Sequence, residues 1–122
     1  MADGIQREVH NGQEILIIDF SSRKEAEMIS MMIEFRSIII ADAKPQLALG
    51  IFNDRSYITP KFMAAFRKEK RVEVTPFIKR QAVVGLNETK KIILKGYNLF
   101  FNRDIRAFDT KESAIQYLVS EK

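Results

Sequence analysis

The chain has 122 residues, 46% of them hydrophobic, a formal net charge of +4 and no cysteine. That length suits one domain with a core that needs no covalent staples, and the absence of thiols excludes disulfides, cysteine-ligated zinc and thiol nucleophiles. The longest apolar run, Ile38-Ile39-Ile40-Ala41, is far shorter than the about 20 residues of a membrane span, and no secretory leader pattern opens the chain, so a cytoplasmic location is expected.

Ile5 to His10 and Gln13 to Phe20 read as two strands around Asn11-Gly12. Asn-Gly tolerates positive φ at both positions and is the strongest short hairpin signal. Within the second strand Ile15-Leu16-Ile17-Ile18 is continuous rather than alternating, which predicts burial on both faces. Ser21 or Ser22 is placed to cap a helix, with Glu25 at capping-box spacing from Ser22. This helix is expected from about Arg23 to Ala43, because the residue before Pro45 avoids the helical region.

Leu47 to Phe52 reads as a second buried strand, followed by the turn Asn53-Asp54-Arg55-Ser56. Thr59-Pro60 has the form of an N-cap and first helical residue, with Phe62, Met63 and Phe66 on the apolar face. Gln81 to Leu86 is the next strand, and Asn87 is placed to cap the helix after it. Ile105 to Phe108 is a short last strand. Asp109 or Thr110 opens the final helix, Asp109 having capping-box spacing to Glu112, and Ala114, Ile115 and Leu118 face inward. The order ββαβαβαβα over residues 1–122 predicts one α/β domain. Its sheet is mainly parallel, with about five strands, an N-terminal antiparallel hairpin and four helices.

The second half carries Phe77, Ala82-Val83-Val84-Gly85, Lys90-Lys91, Leu99-Phe100, Arg103, Phe108-Asp109, Glu112, Ala114 and Leu118. With these residues it resembles the SpoIIAA-like group of STAS domains, a signalling family whose fold is similar to lipid-binding SEC14-like domains. The first half agrees in element order and in Thr59-Pro60 opening a helix. The chain has Tyr117-Leu118 where such proteins often carry Trp-Leu. In STAS domains that antagonise anti-sigma factors, a serine follows the third strand in an Asp-Ser-Ser-Gly-like turn. The corresponding stretch from Asn53 to Thr59 lacks that core, but Ser56 and Thr59 fall nearby. The resemblance thus points to Asp54, Ser56, Tyr57 and Thr59 as an interaction or switch loop. It lies where ligands of open α/β sheets gather, beyond the C-terminal ends of parallel strands.

No motif for catalysis, a cofactor or a metal stands out. His10 is the only histidine and reads as an exposed side chain beside the hairpin. Gly85-Leu86-Asn87 with Lys90 and Lys91 reads as a tight turn and cap, since one glycine makes neither a P-loop nor a dinucleotide fingerprint. Arg67-Lys68-Glu69-Lys70-Arg71 reads as a solvated helix face, without the aromatic interleaving of an RNA-binding surface. The first long helix is more unusual. Its apolar residues cover an arc of roughly 220°, against about 100° for an ordinary core-facing helix. Met28, Met32, Phe35 and Ile39 form one stripe, and Ile29, Ile33 and Ile40 another. One stripe should face the sheet and the other a second apolar surface, either a homodimer contact or an apolar cavity. Gly96 lies on the apolar arc of Ile92, Ile93, Leu99 and Phe100, which predicts close packing at that point. The expected function is a non-catalytic STAS-like regulatory or protein-interaction module. The alternative is a carrier or sensor of a small apolar ligand or lipid, with membrane contact at most peripheral and no role in binding nucleic acid.

Overall fold

The computed structural model describes residues 4–53, 55–56, 59–62, 64, 77–101 and 103–120. Strands β1 (Ile5–His10) and β2 (Gln13–Asp19) precede helix α1 (Glu25–Asp42) and strand β3 (Gln46–Ile51). Helix α2 opens at residue 60, and its residues 60–62 and 64 are described. Strand β4 (Ile78–Val84), helix α3 (Glu88–Phe101), strand β5 (Ile105–Phe108) and helix α4 (Lys111–Val119) complete the chain. The five strands form one sheet in the order β1-β2-β3-β4-β5. Only the β1–β2 pair is antiparallel. This is the architecture expected from the sequence.

The hairpin turns at Asn11 (φ 52°) and Gly12 (φ 73°), and His10 faces Gln13 across it. Two positive φ values match the right-handed twist of the strands. β2 is covered on both faces, as its unbroken apolar run predicts. Leu16 and Ile18 join the cluster with Met28, Met32 and Ile39 of α1 and Phe62 of α2. Ile15 and Ile17 join the opposite cluster with Leu47, Leu49, Ala82 and Val84 of the sheet and Ala114, Leu118 and Val119 of α4. A third cluster unites Val83, Leu86, Tyr97 of α3 and Ile105. Each buried aliphatic side chain contributes about 1.5–3 kcal/mol, so a sheet sealed on two faces needs no other device.

Several boundaries differ from the sequence expectation. β4 begins at Ile78 rather than Gln81 and ends at Val84, because Gly85 turns the chain with φ 86°. α1 is capped by neither serine. Its N-cap is Lys24, whose N–H donates to Glu27 Oε1 at 2.9 Å. Ser22 adopts φ 56° in the turn before the helix, which removes it from the cap and displaces the box to Lys24 and Glu27. α1 ends at Asp42 and is followed by Ala43, a left-handed C-cap whose N–H reaches Ile39 O at 3.2 Å. In α4 the cap is Thr110, whose Oγ1 accepts from Ser113 N at 3.1 Å. Asp109 lies one residue too early for the box with Glu112 and pairs with Lys91 at 3.3 Å instead. Asn87 does cap α3, its Oδ1 accepting from Lys90 N at 2.9 Å.

The wide apolar arc of α1 resolves into two environments. Met28, Met32 and Ile39 are buried against the sheet, with Phe35 half-buried beside them. They are therefore core rather than a free surface. The second stripe is the outer one, with Ile33 44% exposed and Ile29 and Ile40 partly covered. Gly96 also departs from expectation. Among the described residues a Cβ built there meets nothing within 4 Å, so none of them packs closely on it. The apolar arc of α3 is likewise wider than its buried face, which is held by Tyr97 and Leu94.

Candidate functional site

The loops beyond the C-terminal ends of β2, β3 and β4 meet in one polar cluster. Two ladder-like bonds carry the sheet into them, Phe20 N to Ile51 O at 2.8 Å and Phe52 N to Val84 O at 2.9 Å. Gly85 lets Phe52 approach, since a Cβ at Gly85 would lie 1.8 Å from Phe52 O. Beneath the loops Phe20 stacks on Phe52 and meets Phe62 edge-on, with ring centroids 5.1 and 5.7 Å apart.

Asn53 organises the cluster. Its Oδ1 accepts from Ser22 N and Arg55 N, both at 3.0 Å, and its Nδ2 donates to Ser22 Oγ at 2.9 Å. Ser56 is fully buried. Its hydroxyl donates to Phe20 O at 2.8 Å and accepts from Asn53 N at 3.1 Å, which ties the β3 loop to the β2 loop. Lys90 reaches back from α3, and its ammonium donates to Asn53 O at 3.3 Å and to Ser56 O. Thr59 accepts from Phe62 N at 3.0 Å as the N-cap of α2 and donates to the Glu25 carboxylate at the start of α1.

Of the four loop residues singled out in the sequence, Ser56 joins the Asn53 cluster and Thr59 caps α2, while Asp54 and Tyr57 lie outside the described residues. So do Met63, Phe66 and the basic 67–71 cluster. Ser56 is turned inward as a tether rather than outward as a substrate. Asn53, Ser22 and Lys90 do more of the assembly than the sequence reading assigned them. The Asn-x-x-Ser spacing from Asn53 to Ser56, an Asx-type turn, is the signal that was available.

Lys91 does not offer a free cation at the α3 N-terminus. Asp109 and, more distantly, Glu88 hold it, and the hydrogen bond to Asp109 raises its pKa. His10 is not the uninvolved side chain expected; its Nε2 lies 2.9 Å from Glu8 Oε1. The other Glu8 oxygen accepts from Lys111 of α4 at 3.0 Å. The His10 hydrogen bond, and then that from Lys111, pull the Glu8 carboxyl below its ordinary pKa.

Met32 and Phe35, with Ile18, Phe20, Gly50 and Val83, line an apolar cavity of about 70 Å³ between α1 and the sheet. Among the described residues no three His, Asp or Glu side chains converge as metal ligands. Among them, too, no helix is long and apolar enough to cross a membrane. Comparison of the chain with protein-family models, with curated proteins and with solved structures finds no match.

Proposed function

We propose that the protein is a non-catalytic, STAS-like interaction module that binds a protein partner or a second copy of itself. The observation that carries this reading is the use made of the polar groups at the C-terminal edge. Asn53, Ser56, Thr59 and Lys90 bond to backbone and to neighbouring side chains, which ties the described loop residues to β2, α1 and α3. A preformed loop surface on a rigid sheet suits recognition. The STAS-like part of the proposal rests on the sequence resemblance and on the element order. Exposed aliphatic side chains on the helical layer, Ile92 at 69% and Leu99 at 81%, add apolar area to such a contact. Membrane contact in this reading is peripheral, and the location is the cytoplasm. The test combines sedimentation of the purified protein with capture of partners, each repeated with Asn53→Ala and Arg55→Ala. A dimer or a captured protein that both variants weaken is the expected result. Turnover of any substrate that depends on Ser22, Asn53 or Lys90 would overturn the non-catalytic reading.

A second reading, a carrier of a small apolar ligand, is favoured by the cavity beside Met32 and Phe35. Its 70 Å³ is about half the roughly 150 Å³ that holds benzene in an engineered protein cavity, so it suits a few heavy atoms better than an acyl chain. A retained apolar molecule in native mass spectra of the purified protein would favour this reading over the first.

A further inference from the structure

The opposite edge of the sheet, where the parallel strands begin, carries a second polar feature. A cleft of about 240 Å³ opens there between the starts of β2, β3 and β4. Its lining includes Gln13, Glu14, Lys44, Gln46 and Lys79. Two irregularities coincide at this place. The first is a β-bulge. Gln46 pairs with Ile78 and Leu47 with Arg80, so Lys79 is the extra residue, without a partner across the ladder. Bulges re-aim side chains and gather beside functional sites. The second is an orphaned donor. Gln46 is only 6% exposed, and its Nε2 is buried with no hydrogen-bond partner. An unmade hydrogen bond on a buried amide is costly, and an acceptor supplied by a ligand would remove that cost.

The charges nearby decide what that acceptor should be. Glu14 and Asp42 are both held by Arg7, at 3.0 and 2.6 Å. Gln13 Nε2 is committed to Val119 O at 2.8 Å. Among the described residues Lys44 and Lys79 have no ion pair. The cleft therefore offers two ammonium groups without an ion pair among the described residues and one unpaired amide N–H, and with Arg7 set against Glu14 and Asp42 the local balance of these five side chains stays positive. We propose that this cleft binds a small molecule carrying a carboxylate or phosphate group. The oxyanion lies between Lys44 and Lys79, and the Gln46 side chain, whose Nε2 is buried beside the cleft, turns to donate to it. The site is at the far end of the sheet from the loops of Asn53 and Ser56, so its failure would leave the interaction reading untouched.

The test is a two-dimensional NMR titration of the labelled protein with inorganic phosphate and, separately, with acetate, at constant ionic strength set by chloride. The Gln46 side-chain amide resonances should shift saturably with at least one of the two, with a Kd on the order of 1–10 mM. Saturation by phosphate alone assigns a phosphate ester, by acetate alone a carboxylate, and by both a shared oxyanion site. Lys79→Ala, a change at an exposed position, should weaken binding about tenfold, and Lys44→Ala with Lys79→Ala should abolish it. Linear shifts without saturation, shifts reproduced by chloride, or unchanged binding in the double variant would each overturn the proposal.

Discussion

Gly85 and Gly96 show how differently two glycines can matter in one chain. At Gly85 both the positive φ and the 1.8 Å approach of Phe52 O forbid a side chain. Gly85→Ala should lower stability by about 3 kcal/mol or more, read from urea unfolding, because strain and a backbone clash add. Gly96 has a helical backbone, and among the described residues nothing lies within 4 Å of a Cβ there. Gly96→Ala should therefore raise stability by about 0.5–1 kcal/mol through helix propensity alone. A lower melting temperature for that variant would mean that something does pack there. Ser56→Ala should cost about 1–3 kcal/mol, since it strands Asn53 N and leaves Phe20 O with Arg23 N as its remaining donor. Ser56→Asp should destabilise at least as much, because the larger carboxylate has no room at a fully buried position and cannot donate to Phe20 O. If Ser56→Asp instead unfolded at the wild-type urea midpoint, the inward tether would be refuted.

At the scale of elements, two ion pairs and one cap fasten pieces that are distant in sequence. Arg80 on β4 caps the C-terminus of α4, its guanidinium donating to Tyr117 O at 3.1 Å, Leu118 O at 3.3 Å and Ser120 Oγ at 2.9 Å. A cation at the negative end of a helix is favourable, so Arg80→Ala should cost about 1 kcal/mol and loosen α4 first. Hydrogen exchange along residues 111–119 would reveal this. Edge strand β1 is fastened to α4 through Glu8 and Lys111, and to α1 through Arg7 and Asp42. Because the Glu8 pKa is depressed in the folded protein, its contribution is complete above the ordinary carboxylate pKa of about 4.3 and is lost as pH falls through the folded value. Glu8→Gln should then be less stable than the wild type at pH 7, by up to about 1 kcal/mol, and equal to it near pH 2. Urea midpoints at the two pH values decide the matter.

At the scale of the whole molecule, the sheet is graded from centre to edge. β2, β3 and β4 have two neighbours each and are sealed on both faces, whereas β5 has four residues and one neighbour. Amides of Ile15–Ile18, Leu47–Leu49 and Ala82–Val84 should exchange only through global unfolding, and those of β5 through local opening. Equal protection across all five strands would contradict this gradient.

Much of this fold is legible along the chain because it depends on local rules. Asn11-Gly12 dictates a hairpin, the unbroken Ile15-Leu16-Ile17-Ile18 run demands two covered faces, and alternating strands and helices impose a parallel sheet. Asn87 reads correctly as a cap because its partner is three residues away. What the sequence leaves open depends on residues that meet only after folding. Three cap positions compete in Ser21-Ser22-Arg23-Lys24, and the contest is decided by Asn53, 31 residues away, which holds Ser22 out of the helix. A helical wheel shows that α1 and α3 have broad apolar arcs, but it has no reference direction. Only the sheet determines that Met28, Met32 and Ile39 turn inward while Ile33, Ile92 and Leu99 meet water. Ser56 likewise reads as a loop hydroxyl until Phe20 O, 36 residues away, supplies the acceptor that buries it. Local propensity acts over about one turn of helix or one hairpin, whereas burial and hydrogen-bond partnership are set by chain segments that sequence distance cannot bring together.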